Sequence, residues 1–262
     1  MSQRTAEDAG RSPAAVALVV PCYDEARRLD RAEFARLARQ RPDIAIRFVD
    51  DGSRDGTGQV LDALRAEAPG RVEVLRLERN RGKAEAVRAG LLAALAEGFQ
   101  LVGFCDADLS TPVDELVRLV DVARASPAKV VLASRVLLLG RRIERRAARH
   151  YLGRVFATAA SIALDLPVYD TQCGAKLFRA TPALARALAA PFRTRWVFDV
   201  ELLARLLHGG GGEPLSAADV VEEPLLAWRD ARGSKMSPWA MLRAGAQVLL
   251  LIVRLRSGGS PW

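Results

Sequence analysis

The sequence predicts an α/β domain with a mostly parallel sheet flanked by helices. Two observations carry that prediction. Five apolar, β-rich runs alternate with four segments whose apolar residues recur every three or four positions, and a polar cluster follows four of the five runs. Strand–helix alternation of this kind folds as βαβ crossovers. Ligands of such sheets sit at the carboxyl ends of the strands, so the polar clusters are expected to converge on one edge.

Residues 1–14 (MSQRTAEDAGRSPA) are polar, lack the apolar segment of a signal peptide and read as a disordered lead-in. Val16 to Val20 (VALVV) is the first strand, followed by Pro21-Cys22-Tyr23-Asp24-Glu25 and a helix over 25–39. Ile44 to Val49 is the second strand, followed by Asp50-Asp51-Gly52-Ser53 and a helix over 57–67. Val72 to Leu77 leads through the loop Glu78 to Lys83 into a helix over 83–97. Leu101 to Cys105 precedes Asp106-Ala107-Asp108 and a helix over 113–124, and Val130 to Ala133 is the fifth strand.

The second half is less regular. Residues 141–164 read as one or two amphipathic helices that begin with five arginines in nine positions, Arg141, Arg142, Arg145, Arg146 and Arg149. Gln172 to Phe178 is extended, and Val197 to Leu207 is a helix ended by the Gly209 to Gly212 run. A strand near Val220 to Trp228 leads into Arg232-Gly233-Ser234-Lys235 and a last amphipathic helix over 238–256. The expected organisation is a single domain over 15–256, in two halves, 15–135 and 136–256, with a tail at 257–262.

Composition narrows the class. With 50% hydrophobic and 27% charged residues among 262, the chain can bury a full core. Cys22, Cys105 and Cys173 form no CxxC pair, which argues against a disulfide framework or a zinc site and for a reducing, cytoplasmic setting. The longest apolar helical stretches, Val155 to Leu164 and Ala244 to Val253, are about half of the ~20 residues that span a bilayer. The charge of +8 is uneven. Residues 1–130 carry 20 basic and 21 acidic groups, and residues 131–262 carry 19 and 10, so the C-terminal half is expected to meet phosphates or an anionic surface.

Several residues suit chemistry. Asp106 and Asp108 emerge together from an apolar strand, and two neighbouring carboxylates are commonly compensated by a divalent cation. Asp50-Asp51-Gly52-Ser53 supplies acceptors suited to a ribose or a base edge, although Asp50 equally suits a cap and Asp55 is expected only to cap. Arg81-Gly82-Lys83 opens a helix whose N–H groups and lysine suit an anion. Tyr23 beside Pro21 offers a flat surface for a base. Together these describe a place for a nucleotide, a phosphate chain and a cation.

The set VVPCYDE, FVDDGSRDGT, NRGKAEAVRAG, FCDADLSTP and ASR resembles the family-2 inverting glycosyltransferases of the GT-A fold. DTQCGAKLF, RWVFDVELL and RGSK are similar to the branch that glucosylates dolichyl phosphate. The resemblance implies a Rossmann-like GT-A sheet with C-terminal amphipathic helices. It implies nucleotide-sugar contacts at Pro21, Tyr23, Glu25, Asp51, Lys83, Asp106 and Arg232, with Asp108 as the ligand of Mg2+ or Mn2+. Lys235 would add charge at the diphosphate, and Asp199 is where a catalytic base is expected. Arg135, Arg149 and Gln172 are the candidates for the acceptor phosphate. Three positions depart from the family pattern: Asp24 where Asn is usual, Ala84 where a second Gly is common, and Ser110 where related mannosyl enzymes often have Gln.

The implied reaction is inverting, metal-dependent transfer of glucose from UDP-glucose to a polyprenyl phosphate, by a peripheral protein on the cytoplasmic face of an anionic membrane. Residues 141–164 and 238–256 would be its interfacial surface. The alternatives are another nucleotide sugar such as GDP-mannose, a hydroxyl acceptor on a glycan or small molecule, and a catalytically silent nucleotide-sugar-binding scaffold. A nucleic-acid partner is not expected, because aromatics do not interleave with the arginines and no recognised motif is present.

Overall fold

The computed structural model describes residues 15–144, 147–195, 197–209 and 212–230. The expected lead-in, the 238–256 helix and the tail lie outside these residues. A seven-stranded sheet forms the centre, in the order β3-β2-β1-β4-β7-β5-β8. Its strands are β1 (Val16–Cys22), β2 (Ile44–Asp50), β3 (Val72–Arg76), β4 (Leu101–Phe104), β5 (Val130–Ser134), β7 (Lys176–Arg179) and β8 (Val220–Pro224). All neighbouring pairs are parallel except those of β7, which runs antiparallel to both β4 and β5.

The apolar runs are continuous because the sheet is covered on both faces. Val16, Leu18 and Val20 of β1 point into one layer, with Phe34 and Leu37 of α1 (Arg31–Gln40), Leu61 and Leu64 of α2 (Thr57–Glu67) and Leu116 of α4 (Val113–Ala125). Ala17 and Val19 point into the other, with Val87 and Leu91 of α3 (Lys83–Ala96), Leu164 of α5 (Ala147–Leu164), Leu188 of α6 (Pro182–Ala189) and Leu203 of α7 (Phe198–Leu207). Alternate residues of one strand thus serve two cores. Gly90 lets α3 lie directly on β1, since a Cβ there would stand 2.5 Å from Val19 Cγ1.

Four elements differ from expectation. The helix expected over 25–39 starts at Arg31, because residues 25–29 form a turn and Asp30 caps the helix by accepting from the Glu33 N–H at 3.1 Å. The helical reading of 141–164 fails at its start. Arg142–Glu144 is a strand, β6, paired in parallel with β9 (Ala227–Arg229), and helix α5 begins at Ala147. Two strands in separate sheets, β8 and β9, replace the single strand near Val220 to Trp228. Helix α6 was not anticipated; Thr181 caps it through the Leu184 N–H at 3.2 Å, with Pro182 in its first turn.

Candidate active site

The carboxyl ends of β1, β2, β4 and β5 lie on one edge. Because β7 is antiparallel, its beginning lies there too. The strand order reverses around β1 and β4, which is where open α/β sheets leave a crevice.

The first-strand loop is built from backbone contacts. Asp24 adopts φ +50, a left-handed conformation that Asp and Asn tolerate; its N–H donates to Ser53 Oγ at 3.1 Å and its carboxylate accepts the Arg54 N–H at 2.8 Å. Asp in place of Asn is therefore accommodated at this turn. Glu25 is buried and accepts Arg28 Nε at 2.8 Å. Asp50 accepts the Ser53 N–H at 3.0 Å, closing its own loop, while Asp55 accepts the Thr57 N–H at the start of α2 at 2.9 Å.

Asp51, 2% exposed, receives the backbone N–H of Arg81 at 2.7 Å and that of Gly82 at 2.8 Å, one on each oxygen. Its carboxyl is raised above the usual range by burial, against which these two donors and the charge of Arg195 work. Both oxygens are thus committed to holding the loop that precedes α3. The first-turn N–H groups of Lys83 and Ala84 take no hydrogen bond among the described residues and remain for an anion. Gly82 has φ +93, and the Arg195 guanidinium packs 3.3 Å from where its Cβ would be.

Beyond β4 the chain turns sharply. Leu109 has φ +48 with its side chain buried, so Asp106 and Asp108 leave the sheet together before α4 begins. Asp106 Oδ1 is hydrogen-bonded by Lys83 Nζ, and its Oδ2 lies against Gly174, where a Cβ would come within 1.9 Å. Asp108 Oδ1 accepts the Ser110 N–H at 3.0 Å; Oδ2 has no hydrogen bond among the described residues. Crowding around Lys83 disfavours its ammonium, but Asp106, Asp199 and Asp108 outweigh that and push its pKa up to about 12.

The far wall comes from the second half of the chain. Lys176, wholly buried at the start of β7, pairs with Asp199 at 2.9 Å, donates to the Cys173 carbonyl at 2.5 Å and lies 5.2 Å from the centre of the Phe104 ring. Gly103 permits this close approach, since a Cβ there would meet the Lys176 carbonyl at 2.5 Å. Arg135 forms a fork with Asp170, Nε to Oδ2 at 2.6 Å and Nη2 to Oδ1 at 2.8 Å, and lies 5.2 Å over Trp228. Burial disfavours its charge and Asp170 more than restores it, leaving Arg135 fully cationic. The guanidinium expected to be free for a phosphate is therefore largely committed, with Nη1 left over among the described residues. Gln172 Nε2 is buried next to this pair without a hydrogen-bond partner.

Sequence reasoning missed Lys176, Gly174, Asp170 and Arg195 as individual residues. A lysine opening an apolar strand (KLF) was a legible signal. Arg195 was not, since it is placed by a buried network in which Glu201 holds the N–H groups of Arg193 at 3.1 Å and Thr194 at 2.8 Å and pairs with Arg205 at 2.7 Å. Arg232, Lys235 and the Arg149 side chain lie outside the described residues.

The model of the family described as "Glycosyl transferase family 2" matches residues 17–184. The chain belongs to glycosyltransferase family 2. A dolichyl-phosphate beta-glucosyltransferase of Trichomonas vaginalis is 31% identical over 254 residues, covering 92% of this chain and 71% of that protein. The polyprenol monophosphomannose synthase of Mycolicibacterium smegmatis is 29% identical over 238 residues, covering 88% and 86%. Glucosyl-3-phosphoglycerate synthase of Mycobacterium tuberculosis, crystallised with Mn2+, UDP-glucose and phosphoglyceric acid, superposes with a TM-score of 0.65 at 18% identity, covering 95% of this chain and 81% of that one. That likeness shows the GT-A fold. The family-2 chain is a glycosyltransferase, and among its described residues no helix is long and apolar enough to cross a membrane.

Proposed function

We propose that this enzyme transfers glucose, with inversion, from UDP-glucose to a polyprenyl phosphate of the dolichyl type while lying on the cytoplasmic face of a membrane. The Lys176–Asp199 pair carries the choice of acceptor. A hydroxyl acceptor needs a base, and the residue expected to serve as one, Asp199, is charge-paired with a buried ammonium 2.9 Å from its Oδ1, a contact without hydrogen-bond geometry. A phosphate monoester, with a second pKa of ~6, is a dianion near neutral pH and needs only to be positioned. The unpartnered Gln172 Nε2 and Arg135 Nη1 offer donors for its oxygens. The names of the relatives, dolichyl-phosphate beta-glucosyltransferase and polyprenol monophosphomannose synthase, support the same acceptor class.

On the donor side, Pro21 and Tyr23 flank the base, and Asp51 acts by fixing the loop whose Lys83 and Ala84 N–H groups face the diphosphate. Lys83 and Arg195 bring positive charge to the leaving group. Among the described residues no three His, Cys, Asp or Glu side chains are grouped to hold a metal. Asp108, with a free hard oxygen, nevertheless fits Mg2+ or Mn2+, ions that commonly take one or two carboxylates and complete their shell with substrate phosphates and water. Such an ion supplies Lewis-acid stabilisation of the departing diphosphate.

Incubation with labelled UDP-glucose or GDP-mannose, Mg2+ or Mn2+, and a polyprenyl phosphate tests the reading. Label from UDP-glucose should enter the organic phase as an acid-labile β-linked sugar. Preference for GDP-mannose, or label only in a water-soluble glycoside, overturns it.

A further inference from the structure

The connection between β5 and β6 displays three consecutive leucines, Leu137, Leu138 and Leu139, at 62%, 44% and 104% exposure. Their display is built into the backbone. The Arg141 N–H donates to the Leu138 carbonyl at 3.1 Å and Gly140 has φ +80, the hydrogen bond and the third-position glycine of a type II turn, with Leu139 at its tip. Both ends are clamped, by β5 in the main sheet and by the Arg142 N–H on the Leu226 carbonyl at 2.8 Å, where the β6–β9 ribbon starts. Leu226, 41% exposed, adjoins the same patch. Exposed apolar clusters of this kind mark interaction sites.

We propose that residues 136–142 form a wedge that inserts into an anionic lipid bilayer, a reading that rests on the proposed function only in placing the acceptor in that bilayer. Charge selects the occupant. The stretch 136–142 carries Arg141 and Arg142 and no acid, so the apolar tip has a basic rim on its β6 side, as suits acyl chains beneath anionic headgroups. A second copy docking by two-fold symmetry would instead bring two such basic rims together. The position also fits the chemistry. Leu137 is two residues from Arg135, at most ~7 Å along the chain, which sets the headgroup plane beside the acceptor wall of the cleft. A phosphate at headgroup level then meets the site while its chain stays in the membrane.

The test uses the full chain and vesicles of phosphatidylcholine with one third phosphatidylglycerol, free of polyprenyl phosphate. Cys22, Cys105 and Cys173 are buried, so an environment-sensitive dye on Leu138→Cys reports the loop alone. Its emission should rise several-fold on the vesicles and be quenched by nitroxides on the acyl chains. Leu137→Ser/Leu138→Ser/Leu139→Ser should weaken vesicle partitioning ~10-fold or more with an unchanged circular dichroism melt. Dye emission unmoved on vesicle-bound protein, or triple-variant partitioning equal to the parent, overturns the wedge. So does shielding of the dye without vesicles together with a doubled sedimentation mass, which assigns the patch to a second copy. Vesicle binding without lipid glucosylation refutes the acceptor assignment and leaves the wedge standing.

Discussion

Lys176 is the residue whose replacement separates architecture from chemistry. Its ammonium has no contact with solvent, and its partner Asp199 is 9% exposed, so Lys176→Met leaves a carboxylate buried without its counter-charge. Breaking a buried ion pair from one side costs about 3–5 kcal/mol. The orphaned Cys173 carbonyl belongs to the same network, so its cost does not simply add. At roughly 2–4 °C per kcal/mol for a chain of this size, the melting temperature should fall by about 6–20 °C. Lys176→Met/Asp199→Asn, which removes both charges, should recover at least ~2 kcal/mol of that loss. Urea unfolding of the parent, the two single variants and the double variant completes the cycle. A single-variant loss below ~1 kcal/mol, or additive single effects, would refute the idea that this pair holds β7 against α7.

Lys83 should behave in the opposite way. Its side chain is 43% exposed, so Lys83→Met should leave the melting temperature nearly unchanged while raising the donor KM ~10-fold or more. With its pKa pushed up to about 12, the active protonated form persists as pH rises, so donor affinity should show no alkaline fall from this group below about pH 11. Gly174→Ala places a Cβ 1.9 Å from Asp106 Oδ2 and must displace that carboxylate; kcat should drop ~100-fold, and a variant with parental turnover would remove Asp106 from the site. Asp108→Ala should lose ~1000-fold in turnover together with Mn2+ binding followed by electron paramagnetic resonance in the presence of UDP, with circular dichroism unchanged.

The first half of the fold was legible because its signals are local. Each strand from β1 to β5 and each helix from α1 to α4 is covered by its own apolar period, and only the start of α1 lies more than two residues from expectation, where the Glu25 turn competes with helix. The second half depends on partners distant in sequence. Arg142-Ile143-Glu144 lies within a run of arginines at helical spacing, 141, 142, 145, 146 and 149, yet it pairs as a strand because Ala227-Trp228-Arg229 offers an edge more than eighty residues away. The same contrast holds at the site. Asp106, Asp108 and Lys83 follow strands or open helices and could be placed from order alone. That Asp51 holds a loop, and that Arg135 is forked to Asp170, are facts of contact between segments, and no spacing announces them.

The antiparallel insertion of β7 has a consequence for synthesis. β4 is complete at Phe104 and β5 at Ser134, but the two do not pair with each other; each waits for Lys176–Arg179 to emerge and fill the gap between them. Until then β4 presents an unpaired apolar edge, Leu101 to Phe104, and β5 is tethered only by α4. A nascent chain therefore passes through a stage at which half of the sheet is built and its central seam is open, the condition in which edge-to-edge association competes with folding. Shortened chains ending between β5 and β7 should collect in aggregates, and slower translation across those 41 residues should lower the yield of folded enzyme.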